Sequence, residues 1–375
     1  MRVVDRPEKG TPQGLRKERR GSGNWRPRPA RNSAVESLDT MKPVFVFLAA
    51  LAAAHAADYK LTSSPGTVVW GNYWAGAKPV LRIQSGDTVE ILTMSTSSPA
   101  ALARVGVKDA DIQPEWKAIY ANQPPRDQRG PGGHVLTGPI FIEGAEPGDV
   151  LEVRIQKIKL ATPYAYNGFS PNRGVLPPED FQQGKSRLIP LDLTRNVALF
   201  APNIEIPLHP FFGSMGVAPD PSKGKLDSAP PGDHAGNLDN KDLVEGTILY
   251  IPVHAPGALF EVGDGHAGQG NGEVDITAME TSLVGTFQFV VRKDMKLQWP
   301  FGETPTHWIA MGLDKDLTQA LILAVRQAID FLVTEKHMTR EDAYALCSVA
   351  VDFNVTQAVD GTKGIHAMIP KSIFK

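Results

Sequence analysis

The stretch whose reading decides the fold runs from Pro230 to Glu280. It contains P-P-G-D-H-A-G-N-L-D-N-K-D-L (230–243) and G-T-I-L-Y-I-P-V-H-A-P-G-A-L-F-E-V-G-D-G-H-A-G-Q-G-N-G-E-V-D-I (246–276). Short apolar runs alternate here with Gly-rich turns, and Thr247–Pro252 and Glu273–Ala278 read as strands. Six glycines lie between Gly257 and Gly272, so the backbone can approach closely or turn with positive φ. Loops of this make on a rigid β scaffold are common hosts of binding and catalytic groups.

The same reading extends in both directions. Upstream, Thr67–Trp70, Pro79–Ile83, Thr88–Leu92 and Ser186–Leu193 are β-branched or apolar runs bounded by turn residues. In Val150–Gln156, Leu151, Val153 and Ile155 alternate with Glu152, Arg154 and Gln156, the period of a half-buried strand. Residues 95–133 read as irregular with one helical turn near 111–121, and residues 163–180 as a long loop carrying Tyr164, Tyr166 and Phe169. Downstream, Gly285–Arg292 is a further strand. From Asp314 to Lys336 the apolar residues Leu317, Leu321, Ala324, Ala328, Phe331 and Leu332 fall at helical spacing. Thr339, with Asp342 three residues on, caps a second helix, and Ser348–Val355 reads as a last strand. The expected fold is mainly β, a sandwich with a smaller α+β part toward the C-terminus.

Composition bounds the function. Hydrophobic content of 42% and charge of 21% suit a soluble globular chain of 375 residues. A single cysteine, Cys347, excludes an intrachain disulfide framework, and its apolar neighbours predict an inert buried thiol. Residues 1–40 hold ten basic and five acidic residues with no apolar periodicity, and are expected to be a disordered or mis-assigned upstream extension. Met41-Lys42, an apolar run to Ala54 and the closing A-H-A predict a signal peptide over 41–56, cleaved after Ala56. That run is too short to be a stable membrane anchor. The mature chain, 57–375, carries 28 basic against 36 acidic residues, a charge of about −8 that argues against nucleic acid as a partner. The expected location is secreted or periplasmic.

The chemistry-bearing residues cluster in the opening stretch. Asp264 and His266 stand at i and i+2 of a predicted strand, so both project to one face. Carboxylate and imidazole there suit a divalent ion. Glu273 and Asp275 have the same relation, with Val274 and Ile276 expected to face the opposite core. Asp233-His234, Asn237 and Asp239, His134 and His209 add further candidates, although an Asp beside Gly is commonly a turn residue. No H-E-x-x-H, G-x-S-x-G, P-loop or dinucleotide fingerprint occurs. A hydrolytic site in this chain would therefore use activated water.

The chain resembles the acetamidase/formamidase family. The resemblance is carried by H-V-L-T-G-P-I-F-I-E-G-A-E-P-G-D-V-L-E-V (134–153), G-S-M-G-V-A-P (213–219), P-G-D-H-A-G-N-L-D-N-K-D-L (231–243), G-T-I-L-Y-I-P-V (246–253), V-G-D-G-H-A-G-Q-G-N-G-E-V (262–274) and D-F-N-V-T-Q (352–357). It implies a jelly-roll-like β-sandwich over 57–375, hydrolysis of short linear amides to carboxylate and ammonia, and a homo-oligomer. It also implies a divalent metal, zinc, held among Asp239, Asp264, His266 and the nearby His134. Glu273 is then expected to move the proton and Asn237, or backbone N–H groups near Gly236, to support the oxyanion. One departure stands out: Asn271 replaces the Asp of the family's usual Q-G-D-G-E. The competing class is an exported β-sandwich module that binds carbohydrate or calcium without catalysis.

Overall fold

Leu151, Val153 and Ile155 do turn inward, and Arg154 and Gln156 outward, but the strand runs on to Leu160. Its pairing with Leu283–Arg292 skips Gln156, matching Thr286 to Lys157 and Phe287 to Ile155. The extra residue is a β-bulge that resets the alternation, so Ile158 is buried where a strict period of two would expose it. These data come from a computed structural model that describes residues 56–375. The upstream extension and the signal peptide lie outside the described residues, apart from Ala56.

Two sheets face each other. One has nine strands, with Val150–Leu160 between Leu283–Arg292 and Thr247–Pro252, and ends at Asp352–Gln357. The other has eleven strands and is centred on Phe260–His266. Phe287, Phe289, Val153 and Leu249 of the first sheet pack against Phe212, Met215, Phe260 and Val262 of the second. Each such aromatic or aliphatic side chain, fully buried, contributes about 1.5–3 kcal/mol. The structure is mainly β with a small helical part near the C-terminus.

The helices Leu317–Lys336 and Arg340–Ala350 cover the outer face of the nine-stranded sheet, where Ile329, Leu332 and Cys347 join Tyr250, Phe301 and Ala310. Gly312 lets the first helix sit close: a Cβ there would lie 2.0 Å from the carbonyl oxygen of Ala320. Asp316 caps this helix by accepting from the Gln319 amide, and Thr339 caps the next by accepting from Asp342.

Several boundaries differ from expectation. Leu321 is 39% exposed because the helix buries the small residues Ala320, Ala324 and Ala328 against the sheet. The last helix continues to Ala350, so the following strand begins at Asp352 and not at Ser348. The region 95–133 holds two short helices, Pro99–Arg104 and Pro114–Ala121. Residues 163–180 are not all loop, since Tyr164–Phe169 pairs with Lys185–Asp192. Glu273–Ala278 is no strand: Glu273 and Ile276 both have positive φ, and Val274 is 61% exposed. The turn through Gly270, Asn271 and Gly272 breaks the extended run there.

Candidate metal and catalytic site

Phe260–His266 changes partners along its length. Its first half pairs with Val135–Ile142, and Gly265 and His266 pair with Thr281 and Glu280. Asp264 sits at the switch with φ +55, and on the opposite edge the ladder to Phe211–Gly216 skips both Asp264 and Gly213. This irregularity turns the Asp264 and His266 side chains over Gly213. A Cβ on Gly213 would lie 2.4 Å from Asp264 Oδ2, 2.5 Å from Asp239 Oδ1 and 2.8 Å from His266 Cε1. Three groups from two segments of chain therefore converge on a space that only glycine leaves open.

Asp239 arrives from the turn after Ala235–Asn237, with φ +49, and its amide donates to the carbonyl of Gly213. Glu273, with φ +44, comes from the glycine turn, and its carboxylate oxygen lies with an Asp239 oxygen and a His266 ring nitrogen in a group whose ligand atoms are within 4.8 Å of one another. A second such group is Asp264, His266 and Glu280. His266 Nε2 is 3.4 Å from both Asp264 Oδ2 and Glu280 Oε1, and its ring stands edge-on to Phe211 at 4.9 Å. His134 Nδ1 lies against Ser228, leaving Nε2 3.9 Å from Asp264 Oδ2.

The electrostatics are those of a site built around positive charge. Burial, and then the Glu273 and Asp264 carboxylates, push Asp239 well above the usual carboxylate range. Burial does the same to Glu273, against the pull of His266. Burial also raises Asp360, to about 6. Burial opposes protonation of His266, yet Glu280 and Asp264 outweigh it and hold the imidazole well above its ordinary value. Burial likewise opposes ionisation of Asp264, but His266 and His134 bring it down to about 2. Among the described residues, both nitrogens of His266, Oδ1 of Asp239 and Oε2 of Glu273 are buried without a hydrogen-bond partner. Unpaired buried polar atoms are costly. One imidazole with several carboxylates around an open space is a donor set that fits a divalent cation, and the nitrogen suits a first-row metal better than the all-oxygen shell of calcium.

The structure brings Asp239, Asp264, His266, Glu273 and His134 together. Asn237 is beside them in a different posture. Its Nδ2 donates to Asp239 Oδ2 (2.8 Å) and to Asp360 Oδ2 (3.1 Å), while Oδ1 accepts from Ser214 Oγ (2.7 Å). With both amide hydrogens engaged, Asn237 orients Asp239 and has no donor left for an oxyanion. Asp275 accepts from Asn167 and is outside the cluster. Asp233 pairs with Lys223 at 2.6 Å, and His234 packs edge-on to Tyr73. Asn271 is exposed, so its missing charge lies outside the buried group. Tyr166 bonds Ser186 and Phe169 packs on Phe181, so these aromatics serve their own strand pair. Glu280 and Asp360 escaped sequence reasoning. Glu280 closes the Gly-rich stretch, whereas Asp360-Gly361 carries only the signature of a turn.

Comparison with known proteins identifies the family. The Acetamidase/Formamidase family profile matches residues 126–227 and 222–375. A putative formamidase of Schizosaccharomyces pombe is 27% identical over 195 residues, which is 38% of this chain and 47% of that protein. A formamidase of Methylophilus methylotrophus is 25% identical over 193 residues, again 38% and 47%. The matched stretch thus spans about half the length of these curated relatives. The crystal structure of a predicted acetamidase/formamidase from Thermoanaerobacter tengcongensis superposes with a TM-score of 0.72 at 26% identity, covering 85% of this chain and 97% of the other. An acetamidase from Bacillus halodurans gives 0.71 at 27%, covering 84% and 98%. The chain belongs to the acetamidase/formamidase family.

Proposed function

We propose, from that membership and from the site above Gly213, that this protein hydrolyses the C–N bond of linear amides with a divalent metal, zinc, at the site. The observation that carries the reading is the gathering of partnerless atoms of Asp239, His266 and Glu273 within 4.8 Å of one another, with Asp239 and His266 also bounding the space at Gly213. Asp239, Asp264 and His266 would hold the ion. When bound, it supplies a Lewis acid and lowers the pKa of water.

The chain's own groups do the rest. Glu273 accepts the proton of the attacking water and returns it to the departing nitrogen, because an amide anion does not leave unprotonated. Asn237, anchored by Ser214, fixes the orientation of Asp239. His134, held at Nδ1 by Ser228, keeps Nε2 3.9 Å from Asp264 Oδ2, beside the ion-holding groups. Residues 41–56 support export of the mature chain, and self-association is proposed on family likeness alone.

The test is ammonia release from formamide and acetamide by metal-loaded protein, after chelation, and in Glu273→Gln. Chelation is expected to abolish turnover and metal to restore it, and Glu273→Gln to lower kcat on the order of a hundredfold or more. Turnover untouched by both treatments would rule the mechanism out.

A further inference from the structure

Glu273 and Gln269 line a cavity of about 1120 Å³, at the upper end of the range for drug-sized ligands and far larger than formamide or acetamide needs. Gln269 Nε2 donates to the carbonyl of Asp239, while Gln269 Oε1 and Glu273 Oε2 are buried and without partner among the described residues. Two acceptors without partners could take up the two N–H donors of a primary amide. Part of the wall is apolar, with Ile189, Phe200, Ile206 and Met279, and the rest carries polar groups such as Asn167, Thr277 and Thr304.

The charged groups on the wall do not select an ion. Asp242 is bound to His366 Nε2 at 3.0 Å, Glu245 accepts from the Ile158 amide at 3.1 Å, and Asp275 accepts from Asn167 at 3.2 Å. Lys241 also lines the cavity and, after His366, helps to hold the Asp242 carboxyl below its usual range.

We infer that the preferred substrates are primary carboxamides with an extended, uncharged apolar acyl chain, the amide at Gln269 and Glu273 and the chain along Ile189, Phe200 and Ile206. The inference rests on the amide-hydrolase reading. The reaction is R–CO–NH₂ + H₂O → R–COO⁻ + NH₄⁺, in which the C–N bond breaks, a C–O bond forms and both water protons end on the ammonium.

The experiment measures kcat/KM for ammonia release from formamide, acetamide, butanamide, hexanamide and adipamic acid, which places a carboxylate at the end of a chain of similar length. Each buried methylene is expected to raise kcat/KM about fourfold, on the order of a hundredfold from acetamide to hexanamide. Ile206→Trp, at the half-buried position of an otherwise exposed edge strand, narrows the cavity and is expected to cut the hexanamide-to-acetamide ratio roughly tenfold. A series that is flat or falls with chain length overturns the inference and leaves the amidase reading standing. Adipamic acid outrunning hexanamide overturns the apolar claim. No ammonia from any amide overturns the earlier reading itself. The wild-type series decides even if the variant fails to fold.

Discussion

A methyl group at Gly213 is the smallest change that probes the site, because the space it would fill is bounded by Asp264 Oδ2, Asp239 Oδ1 and the His266 ring. These neighbours cannot withdraw easily. Asp239 is tied to Asn237 and to the Gly213 carbonyl, and His266 is wedged against Phe211. Gly213→Ala is therefore expected to lower metal affinity by roughly ten- to a hundredfold while the fold persists. Metal titration with a circular-dichroism control reads both quantities, and wild-type affinity in the variant would show that the ion is held elsewhere. No sequence argument singled out this glycine. Its role depends on a skipped ladder position between two strands, which has no sequence signature. Asp264 and His266 were visible as a pair because i and i+2 share a strand face. Glu273 was reached through the wrong geometry, since a turn and not a strand carries it. Asn237 was placed correctly beside the site, but its hydrogen-bond partners, including the distant Asp360, give it a positioning part.

At the scale of elements, segments were legible where local pattern and tertiary context agree. Thr247–Pro252 has the expected bounds, and the capping residue of the last helix is Thr339. Thr339→Ala removes the acceptor of the Asp342 amide and is expected to cost about 1 kcal/mol in urea unfolding. Amide turnover should stay at the wild-type level, because this helix covers the outer face of the nine-stranded sheet while the site belongs to the other sheet. A matching loss of turnover would mean that the helical part is coupled to the site. Where tertiary context overrides pattern, reading failed. The bulge at Gln156 lengthens a strand beyond its alternation, and small alanines displace Leu321 as the packing face of Leu317–Lys336. The edge-strand hairpins Val197–Ala201 and Ile204–Pro207 were missed as well. They matter because they furnish Phe200 and Ile206 to the cavity beside Glu273.

Over the whole molecule, the site acts as a clasp between parts of the chain that share no local structure. Asp239 follows a short strand, Asp264 and His266 sit at a partner switch, Glu273 is in a glycine turn, and Asp360 comes from the loop before the last strand. The sandwich was legible from strand spacing, but this convergence was not, because the contacts span more than a hundred residues. Gathering these carboxylates without a cation works against folding, as the upward shifts of Asp239, Glu273 and Asp360 show. A dication held by these groups would reverse that balance, and would favour the folded chain to the extent that it binds the folded state more tightly. At a free metal concentration a hundred times Kd, the gain is about 2.7 kcal/mol. For a domain of this size, each kcal/mol moves Tm by roughly 2 °C, so adding metal to the chelated protein is expected to raise Tm by about 5 °C. The shift should shrink in Gly213→Ala and survive in Thr339→Ala, since only the first intrudes on the ligand space. Identical melting curves with and without metal would separate the buried carboxylates from any cation and leave their cost to folding without a compensating ligand.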